Sequence, residues 1–376
     1  MNRIAALSTL ALVALAACAQ DHSVTGLAAA RAVAVDASAA ALAADAPGAV
    51  YALTNRPSGN AVAMYARSAD GSLSSSGTFS TGGIGAGSSL GSQGALALSD
   101  DGRWLFAVNA GSNDISAFQV KPSGLSLTSR IASGGRQPIS LTVHGGLVYV
   151  LNAGGNISGF TVASDGALAP VAGSTRSLSA SGVGPAQVSF SPNGDWLVVT
   201  EKATSKIDLY AVGPDGVASA PVTSASAGGT PFGFAFGHRD ELFVSEAAGS
   251  ASSYVIDGNG ALTVASGTVL THQGAPCWAV VTTNGKFGYT ANAQGGSISG
   301  FAIAPDGTIG LIDADGRTAV VGGGNIDLAL SGNSRYLYEL NGNRSISGFR
   351  IEADGHLAAV GNVGGLPAST VGLVAR

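Results

Sequence analysis

Short apolar segments separated by turns recur along this chain, and residues 134–162 show the pattern most clearly. Residues 139–143 and 147–151 are apolar runs of strand length, and the turn between them contains Gly145-Gly146. Residues 156–162 form a third run, which leads into an Asp-Gly pair. Short runs rich in β-branched residues and bounded by turn residues predict β-strands. The segment therefore predicts three consecutive strands joined by tight turns.

The same unit recurs seven times along the chain. An Asp-Gly type of turn follows the third predicted strand of each unit, and successive turns lie 42 to 53 residues apart. This period fits four strands per unit, which is typical of the blades of a β-propeller. The seven turns are Asp70-Gly71, Ser123-Gly124, Asp165-Gly166, Asp215-Gly216, Asn259-Gly260, Asp306-Gly307 and Asp354-Gly355.

The two ends of the repeat region complement each other. The repeats open at Ala49 with a second strand that has no first strand before it, and the chain closes with a first strand at residues 370–375. Pairing the two completes one sheet from both termini and leaves few exposed edges. We therefore predict an all-β fold, a seven-bladed β-propeller with four-stranded blades over residues 49–376.

The N-terminal segment has the features of a lipoprotein signal peptide, over residues 1–18. One basic residue, Arg3, precedes an apolar run that is too short to span a bilayer. The run ends in Leu-Ala-Ala-Cys, which resembles a bacterial lipobox in which Cys18 becomes the lipid-modified first residue of the mature protein. An ordinary Ala-x-Ala cleavage site is the alternative. Ala19, in place of an aspartate after the cysteine, indicates the outer membrane, on its periplasmic or surface side.

Residues 19–48 are dominated by alanine and lack strand alternation, so we predict a flexible tether between the anchor and the propeller. Charged residues make up only 11% of the chain, against roughly 25% in soluble domains, so its polar surface depends on uncharged side chains. The net charge of −5 argues against nucleic acid as a partner. Cys18 and Cys277 are the two cysteines, and neither has a recognisable metal-ligand spacing.

Polar residues end the second strand of every predicted blade, at what we call the top face, where strand one begins. Asparagines occupy five of these positions and are interpreted most simply as turn caps. Glu201 and Glu246 break the pattern in adjacent blades, and two neighbouring carboxylates at a channel mouth suit either acid–base catalysis or the binding of a cation. An exposed ion pair between Glu201 and Lys202 is the alternative. This polar ring consists of Asn55, Asn109, Asn152, Glu201, Glu246, Asn292 and Asn341.

A second polar set is expected where strand one lines the central channel, two residues beyond the turn that starts the strand. Gln187, Trp278 and Asp327 occupy such positions. His272 lies in a top loop, where a merely solvated histidine is the alternative interpretation. The candidate catalytic residues are thus Glu201 and Glu246. The candidate substrate-binding residues are Asn109, Asn152, Gln187, His272, Trp278, Asn292, Asp327 and Asn341.

Two parts of the chain carry a family resemblance. The segments PFGFAF and LFVSEA, at residues 231–236 and 242–247, are followed by APCW and YTAN, at residues 275–278 and 289–292. In these segments the chain resembles the bacterial seven-bladed propellers of the lactonase family. That group is related to the propeller-type 6-phosphogluconolactonases and the carboxy-muconate cyclases. The resemblance extends over about residues 49–376 and implies the same fold.

The resemblance also implies an activity, the opening or closing of a lactone ring by His, Arg and Glu side chains in the channel. Glu201 and Glu246 would fill the carboxylate role. Arg56 and Arg136, in top loops, are the nearest basic candidates, and the family's histidine has no match at a top-face position. A phosphorylated sugar lactone would demand several basic groups, whereas this channel is neutral to acidic.

Two functions therefore remain open. One is a lactonase-type hydrolase outside the cytoplasm, in which a glutamate activates water and polar groups stabilise the oxyanion. The other is a non-catalytic propeller that binds a glycan, peptide or protein. The expected partners are a small-molecule lactone or surface ligand and, through the lipid anchor, the membrane. We expect a monomer and predict no cofactor, no metal ion and no nucleic acid.

Overall fold

The computed structural model describes residues 46–237, 241–322 and 324–376, and every regular element in them is a β-strand. The strands form seven antiparallel sheets, and the inner strands of successive sheets contact one another around a closed ring. The predicted seven-bladed β-propeller is confirmed. The signal peptide with Cys18 and the tether as far as residue 45 lie outside the described residues.

Blades are numbered along the chain, and blades 1 to 3 contain the first twelve strands. In blade 3 the outermost position is shared by two short strands, because both pair with the third strand. These strands are β1 (Gly48–Leu53), β2 (Ala61–Arg67) and β3 (Leu73–Ser80); β4 (Leu96–Leu98), β5 (Trp104–Asn109), β6 (Asp114–Lys121) and β7 (Gly124–Ala132); and β8 (Pro138–His144), β9 (Leu147–Asn152), β10 (Asn156–Val162), β11 (Leu168–Pro170) and β12 (Arg176–Ser177).

Blades 4 to 7 repeat this order, and blade 6 again divides its outermost position between two strands. Their strands are β13 (Pro185–Phe190), β14 (Trp196–Glu201), β15 (Lys206–Ala211) and β16 (Val222–Ala225); β17 (Pro231–Phe236), β18 (Glu241–Glu246), β19 (Ser250–Ile256) and β20 (Leu262–Leu270); β21 (Pro276–Val281), β22 (Phe287–Asn292), β23 (Ser297–Ile303), β24 (Ile309–Leu311) and β25 (Ala319–Val320); and β26 (Asn325–Leu330), β27 (Tyr336–Asn341), β28 (Ser345–Ile351) and β29 (Leu357–Val363).

The last strand, β30 (Val371–Ala375), belongs to blade 1. It pairs antiparallel with β1 as the innermost strand of that sheet. Beyond the pairing, Ala49 N donates to Arg376 O over 3.2 Å and Arg376 N donates to Ala49 O over 2.9 Å. The guanidinium of Arg67 adds a third bond, from Nε to Arg376 O at 3.2 Å. The predicted pairing of the two ends is confirmed, and it removes the open edge that a linear array would leave.

The core lies between blades, because each sheet is covered on both faces by its neighbours. Tyrosines of the second strands connect the layers. The hydroxyl groups of Tyr149, Tyr289 and Tyr338 donate over 2.7 to 2.8 Å to the carbonyl oxygens of Gly216, Gly355 and Gly71. Each acceptor is the glycine of an Asp-Gly turn in the next blade. The turns that mark the repeat in the sequence are therefore also contact points between blades.

No helix capable of crossing a lipid bilayer occurs in residues 46–237, 241–322 and 324–376.

Candidate functional site

The polar ring lies inside the sheets and does not form the channel wall. Each of its seven residues is at most 1% exposed. Strand two is second from the axis, so strand one separates these side chains from the channel. The expectation that the ring is an accessible set at the channel mouth is corrected by this burial.

Both carboxylate oxygens of Glu201 accept hydrogen bonds from neighbouring residues. Oε2 accepts from Ser179 Oγ at 2.6 Å and Thr204 Oγ1 at 2.7 Å, and Oε1 accepts from Ser179 N at 3.0 Å. Burial opposes ionisation, but these hydrogen bonds outweigh it and lower the pKa of Glu201. Burial and the neighbouring charge of Glu201 raise the pKa of Asp208 to about 6. Glu201 thus fastens the loop that enters blade 4.

Glu246 performs the same task for blade 5 with different partners. Its Oε1 accepts from Gly228 N at 2.7 Å, Ser252 Oγ at 2.5 Å and Ser226 Oγ at 3.2 Å. Its Oε2 accepts from Ser250 Oγ at 2.5 Å. None of these donors also bonds Glu201, so the two glutamates do not form the expected acid–base pair. Each carboxylate accepts hydrogen bonds from the loop that enters its own blade, and the two sets of donors are separate.

Two asparagines of the ring are bonded in a similar way. Asn109 Oδ1 accepts from Thr81 Oγ1 at 2.7 Å, and its Nδ2 donates to Asp114 Oδ1 at 2.7 Å. Asn152 Oδ1 accepts from Ser133 Oγ at 2.7 Å. Thr81 and Ser133 belong to the loops that enter blades 2 and 3. These two asparagines therefore bond the incoming loops, whereas the simpler interpretation expected each to cap the turn that follows it.

Asn292 and Asn341, in blades 6 and 7, depart from this pattern. Their Nδ2 atoms donate to serine hydroxyls of the next strand, Ser299 at 2.9 Å and Ser347 at 2.9 Å. The Oδ1 atoms of both asparagines are buried and have no hydrogen-bond partner. These two blades thus leave acceptors free where blades 2 to 5 have donors from the incoming loop.

The predicted channel residues join the inner strands of neighbouring blades to each other. Gln187 Nε2 donates to Phe234 O at 3.0 Å, and Phe234 N donates back to Gln187 Oε1 at 2.8 Å. Asp327 Oδ2 accepts from Leu373 N at 3.1 Å and so fastens β30 to blade 7. Burial raises the pKa of Asp327 well above its ordinary value. These bonds are needed because adjacent inner strands belong to different sheets and share no ladder.

The top end of the channel is covered by residues 89–93, a segment that we call the plug. Gln93 Nε2 donates to Ala279 O at 2.7 Å, and Ala279 N donates to Gln93 Oε1 at 2.9 Å. These bonds cross the axis from blade 2 to blade 6. Ser92 Oγ donates to Ile139 O at 2.8 Å in blade 3, and Trp278 Nε1 donates to Ser92 O at 3.0 Å. Trp278 therefore holds the plug, which explains why it is only 7% exposed.

Below the plug, the channel is a cavity of about 310 Å³. Gln93, Gln187 and Asp327 lie at its top end, and mostly apolar side chains of the inner strands line the remainder. Since these polar side chains already bond the backbone of neighbouring strands, the cavity offers little for a polar ligand to bind.

A second cavity, of about 350 Å³, opens at the top face between blades 3 and 4 beside the plug. We call it the top pocket. Lys202 is the one titratable residue among those that line it. The remaining lining comes from Leu90 of the plug, Ile139, residues 153–155 and residues 181–185.

Lys202 is half-buried at the edge of this pocket. Its ammonium donates to Gly91 O of the plug and lies 5.0 Å from the centroid of the Phe232 ring. Burial lowers the pKa of Lys202, because the charged form loses water. The ion pair with Glu201 that was weighed as an alternative does not form. Adjacent residues leave a strand on opposite sides, so Lys202 turns to the plug while Glu201 turns to Ser179.

His272 is exposed in a top loop with φ of 57°. Arg56 and Arg136 are likewise exposed in top loops. The structure does not bring any of these three into the lining of either cavity described above. Sequence reasoning considered Lys202 only as a partner for Glu201. Its position directly after the polar ring was the available signal that it reaches the top face.

Comparisons with known proteins agree with the fold and with the family resemblance. The family model described as lactonase, 7-bladed beta-propeller, matches residues 58–181, from the loop after β1 to the loop before β13. The predicted resemblance to the lactonase family is confirmed by this match. No curated protein matches the chain significantly.

Several solved structures share the architecture. The periplasmic gluconolactonase of Pseudomonas aeruginosa is 22% identical, with a TM-score of 0.69, over 88% of this chain and 99% of that one. A proposed 6-phosphogluconolactonase from Bacteroides uniformis is 20% identical, with a TM-score of 0.71, over 87% and 99%. A protein from Lactobacillus plantarum is 20% identical, with a TM-score of 0.73, over 88% and 99%. At this level of identity the likeness shows the fold.

Proposed function

We propose, from the resemblance of the chain to the lactonase propellers, that the protein binds a small lactone in the top pocket and hydrolyses it. The observation that carries this proposal is the half-buried ammonium of Lys202 at a cavity of about 350 Å³. Cavities that hold small ligands range from about 300 to 1,000 Å³, so this one suits a single ring.

The chemistry requires stabilisation of a developing negative charge. When water attacks the carbonyl carbon of a lactone, the carbonyl oxygen becomes an oxyanion, and the ring oxygen then leaves as an alcohol. A positioned cation in a partly dehydrated site stabilises that oxyanion more than it stabilises the neutral ground state. Lys202 has three N–H donors, and its contact with Gly91 uses one of them. The others remain for the substrate oxygen.

The rest of the top pocket determines which lactone fits. Leu90, Ile139 and Val183 supply apolar surface for a ring, while the glycines at 154, 155, 182 and 184 keep the rim low. With one cationic side chain in its lining, the pocket favours an unphosphorylated lactone, because a phosphate would require several basic groups. The substrate class proposed is therefore a small neutral lactone outside the cytoplasm.

A panel of five- and six-membered lactones, each with and without a phosphate, tests the proposal. We expect Lys202→Met to lower kcat/KM by about 100-fold, the effect of removing one oxyanion donor. We expect Lys202→Arg to retain part of the activity. Lys286→Met, on the opposite face of the propeller, is the matched control and should leave kcat/KM unchanged. Hydrolysis that survives Lys202→Met intact would remove Lys202 from the mechanism.

One observation favours the second function, non-catalytic binding. The carboxylates of Glu201 and Glu246 are buried and accept hydrogen bonds from the protein on both oxygens, so neither is placed to activate water in the channel or the top pocket. Calorimetric binding of a sugar acid or glycan that is lost in Lys202→Met, in a protein that opens no lactone of the panel, would establish binding in place of hydrolysis.

We also propose that Cys18 anchors the protein to a bacterial membrane, as the lipobox predicts. Cys18→Ser should move the protein from the membrane fraction to the soluble fraction of the producing cell. A variant that stays with the membrane would show that another feature attaches it.

A further inference from the structure

Glu339 occupies a position of strand two that is apolar in most blades. It lies two residues before the polar ring, and its side chain has 0% exposure. Neither of its carboxyl oxygens has a hydrogen-bond partner. The equivalent residues of blades 1 to 6 are Leu53, Ala107, Val150, Val199, Val244 and Thr290.

Two further oxygens on the same face of blade 7 share this property. Asn341 is two residues beyond Glu339 on β27, so both side chains leave the strand on one side. Asn325 lies directly opposite Asn341 in the register of β26 and β27. Asn325 and Asn341 are 2% and 1% exposed, and the Oδ1 atoms of both lack a partner.

The amide orientations and the packing place these oxygens toward blade 6. Asn325 Nδ2 donates to the backbone carbonyl of Ser297 in β23 at 2.8 Å, which orients the side-chain amide toward blade 6. The Oδ1 atom of this amide is the acceptor left without a partner. Leu337, on the same side of β27 as Glu339, packs with Tyr289 and Ala291 of blade 6. Opposed side chains on paired strands have Cβ atoms about 4.5 to 5.5 Å apart, which one small ion can bridge.

We propose that Glu339, Asn325 and Asn341 form a binding site for a sodium-sized monovalent cation between blades 6 and 7. Carboxylate and amide oxygens are the ligands that hard cations take in proteins. Four buried acceptor oxygens on three side chains have no donor, which is costly, and a cation satisfies them together. One carboxylate balances one positive charge, so a monovalent ion enters this low-dielectric space without leaving net charge, whereas a divalent ion leaves one uncompensated.

Protons compete with the cation for Glu339. Burial raises the pKa of this carboxyl to about 9, so the ion must displace a proton at neutral pH. The other titratable groups on the strands around it are Asp327 of β26, Tyr289 of β22 and Cys277 of β21, and burial raises the pKa of each toward the neutral form. Arg350 of β28 lies opposite Tyr336, on the other side of the blade.

Thermal unfolding at constant ionic strength tests the site. Sodium chloride is exchanged stepwise for choline chloride at pH 8.5, and the same series is repeated at pH 6. An ion that binds only the folded state raises Tm in a saturable way, here by about 2 to 4 °C. The rise should be larger at pH 8.5, where the proton competes less. Identical Tm values in sodium and choline at both pH values would overturn the proposal.

Two variants and a diffraction experiment locate the effect. Glu339→Gln keeps the shape but removes the charge, and it should abolish the sodium dependence. Thr290→Val removes the unpartnered hydroxyl at the equivalent position of blade 6 and should keep the dependence. Crystals soaked with thallium(I) should give an anomalous peak between Asn325, Glu339 and Asn341. A saturable response to calcium without one to sodium would overturn the monovalent assignment, as would thallium bound elsewhere.

Discussion

Glu246 and Glu339 differ in their surroundings far more than in their burial. Both lie on the second strand of a blade with 0% exposure. Glu246 accepts hydrogen bonds from one backbone N–H and three serine hydroxyls, whereas both oxygens of Glu339 lack a partner. In blade 5 the end of strand two meets donors from the incoming loop, while the middle of β27 in blade 7 faces apolar side chains of blade 6. The donors that reach a buried carboxyl thus decide whether it stabilises or destabilises the fold.

The largest expected effect comes from removing the satisfied carboxylate. Glu246→Ala leaves Gly228 N and the hydroxyls of Ser226, Ser250 and Ser252 without their acceptor. Each buried unsatisfied group costs about 1 to 3 kcal/mol, so we expect a loss of at least 3 kcal/mol in the free energy of unfolding. Urea denaturation measures it. Glu246→Gln keeps one acceptor and should lose less; equal losses in the two variants would contradict this account.

Replacing Glu339, whose carboxyl oxygens lack partners, is expected to stabilise the protein instead of destabilising it. In sodium-free buffer, Glu339→Val should raise the free energy of unfolding by about 1 to 3 kcal/mol, because it replaces an unpartnered polar group by the residue of blades 3, 4 and 5. Urea denaturation in choline chloride is the measurement. A destabilised variant under these conditions would mean that Glu339 has a partner that stabilises it.

The same carboxyl predicts a pH dependence of stability. Its pKa is about 9 in the folded protein against 4.5 for the ordinary group, so the folded state binds more protons between these values. The stability contribution of Glu339 is therefore complete below pH 4.5 and is lost as the pH rises toward 9, with a slope of at most about 1.4 kcal/mol per pH unit. Subtracting the pH profile of Glu339→Val from that of the wild type isolates this slope. A difference profile that rises with pH would contradict the raised pKa.

The smallest effect is expected at the plug. Trp278→Phe keeps the aromatic contact with Phe232 but removes the donor to Ser92 O, at a cost of about 1 kcal/mol. Hydrogen exchange should become faster in residues 89–93. The amide of Phe234, bonded by Gln187, is the internal reference and should exchange at the same rate in both proteins. Unchanged exchange in the plug would show that the bonds of Gln93, Ser92 Oγ and Lys202 hold it without Trp278.

Side-chain surroundings were much harder to predict than strand order. Asn109 and Asn152 were expected to cap the turns that follow them, but their Oδ1 atoms accept from Thr81 and Ser133, 28 and 19 residues earlier in the chain. Glu201 likewise bonds Ser179, 22 residues earlier, and no local pattern shows that this contact takes the place of a channel pair with Glu246. The sequence also did not predict the plug. Gln93 bonds Ala279 in blade 6, and a contact across the axis has no local sequence pattern.

The amino-acid sequence by itself determined the blade count, the turn positions and the closure of blade 1 by β30. These follow from period, turn residues and complementary ends, which are local properties of the chain. The tertiary structure alone decided which polar groups found donors, which end of the channel is covered and where Lys202 and Glu339 lie. Those outcomes depend on which segments come into contact between blades. Hydrogen bonding and desolvation are set by these contacts, and the partners are rarely neighbours in the sequence.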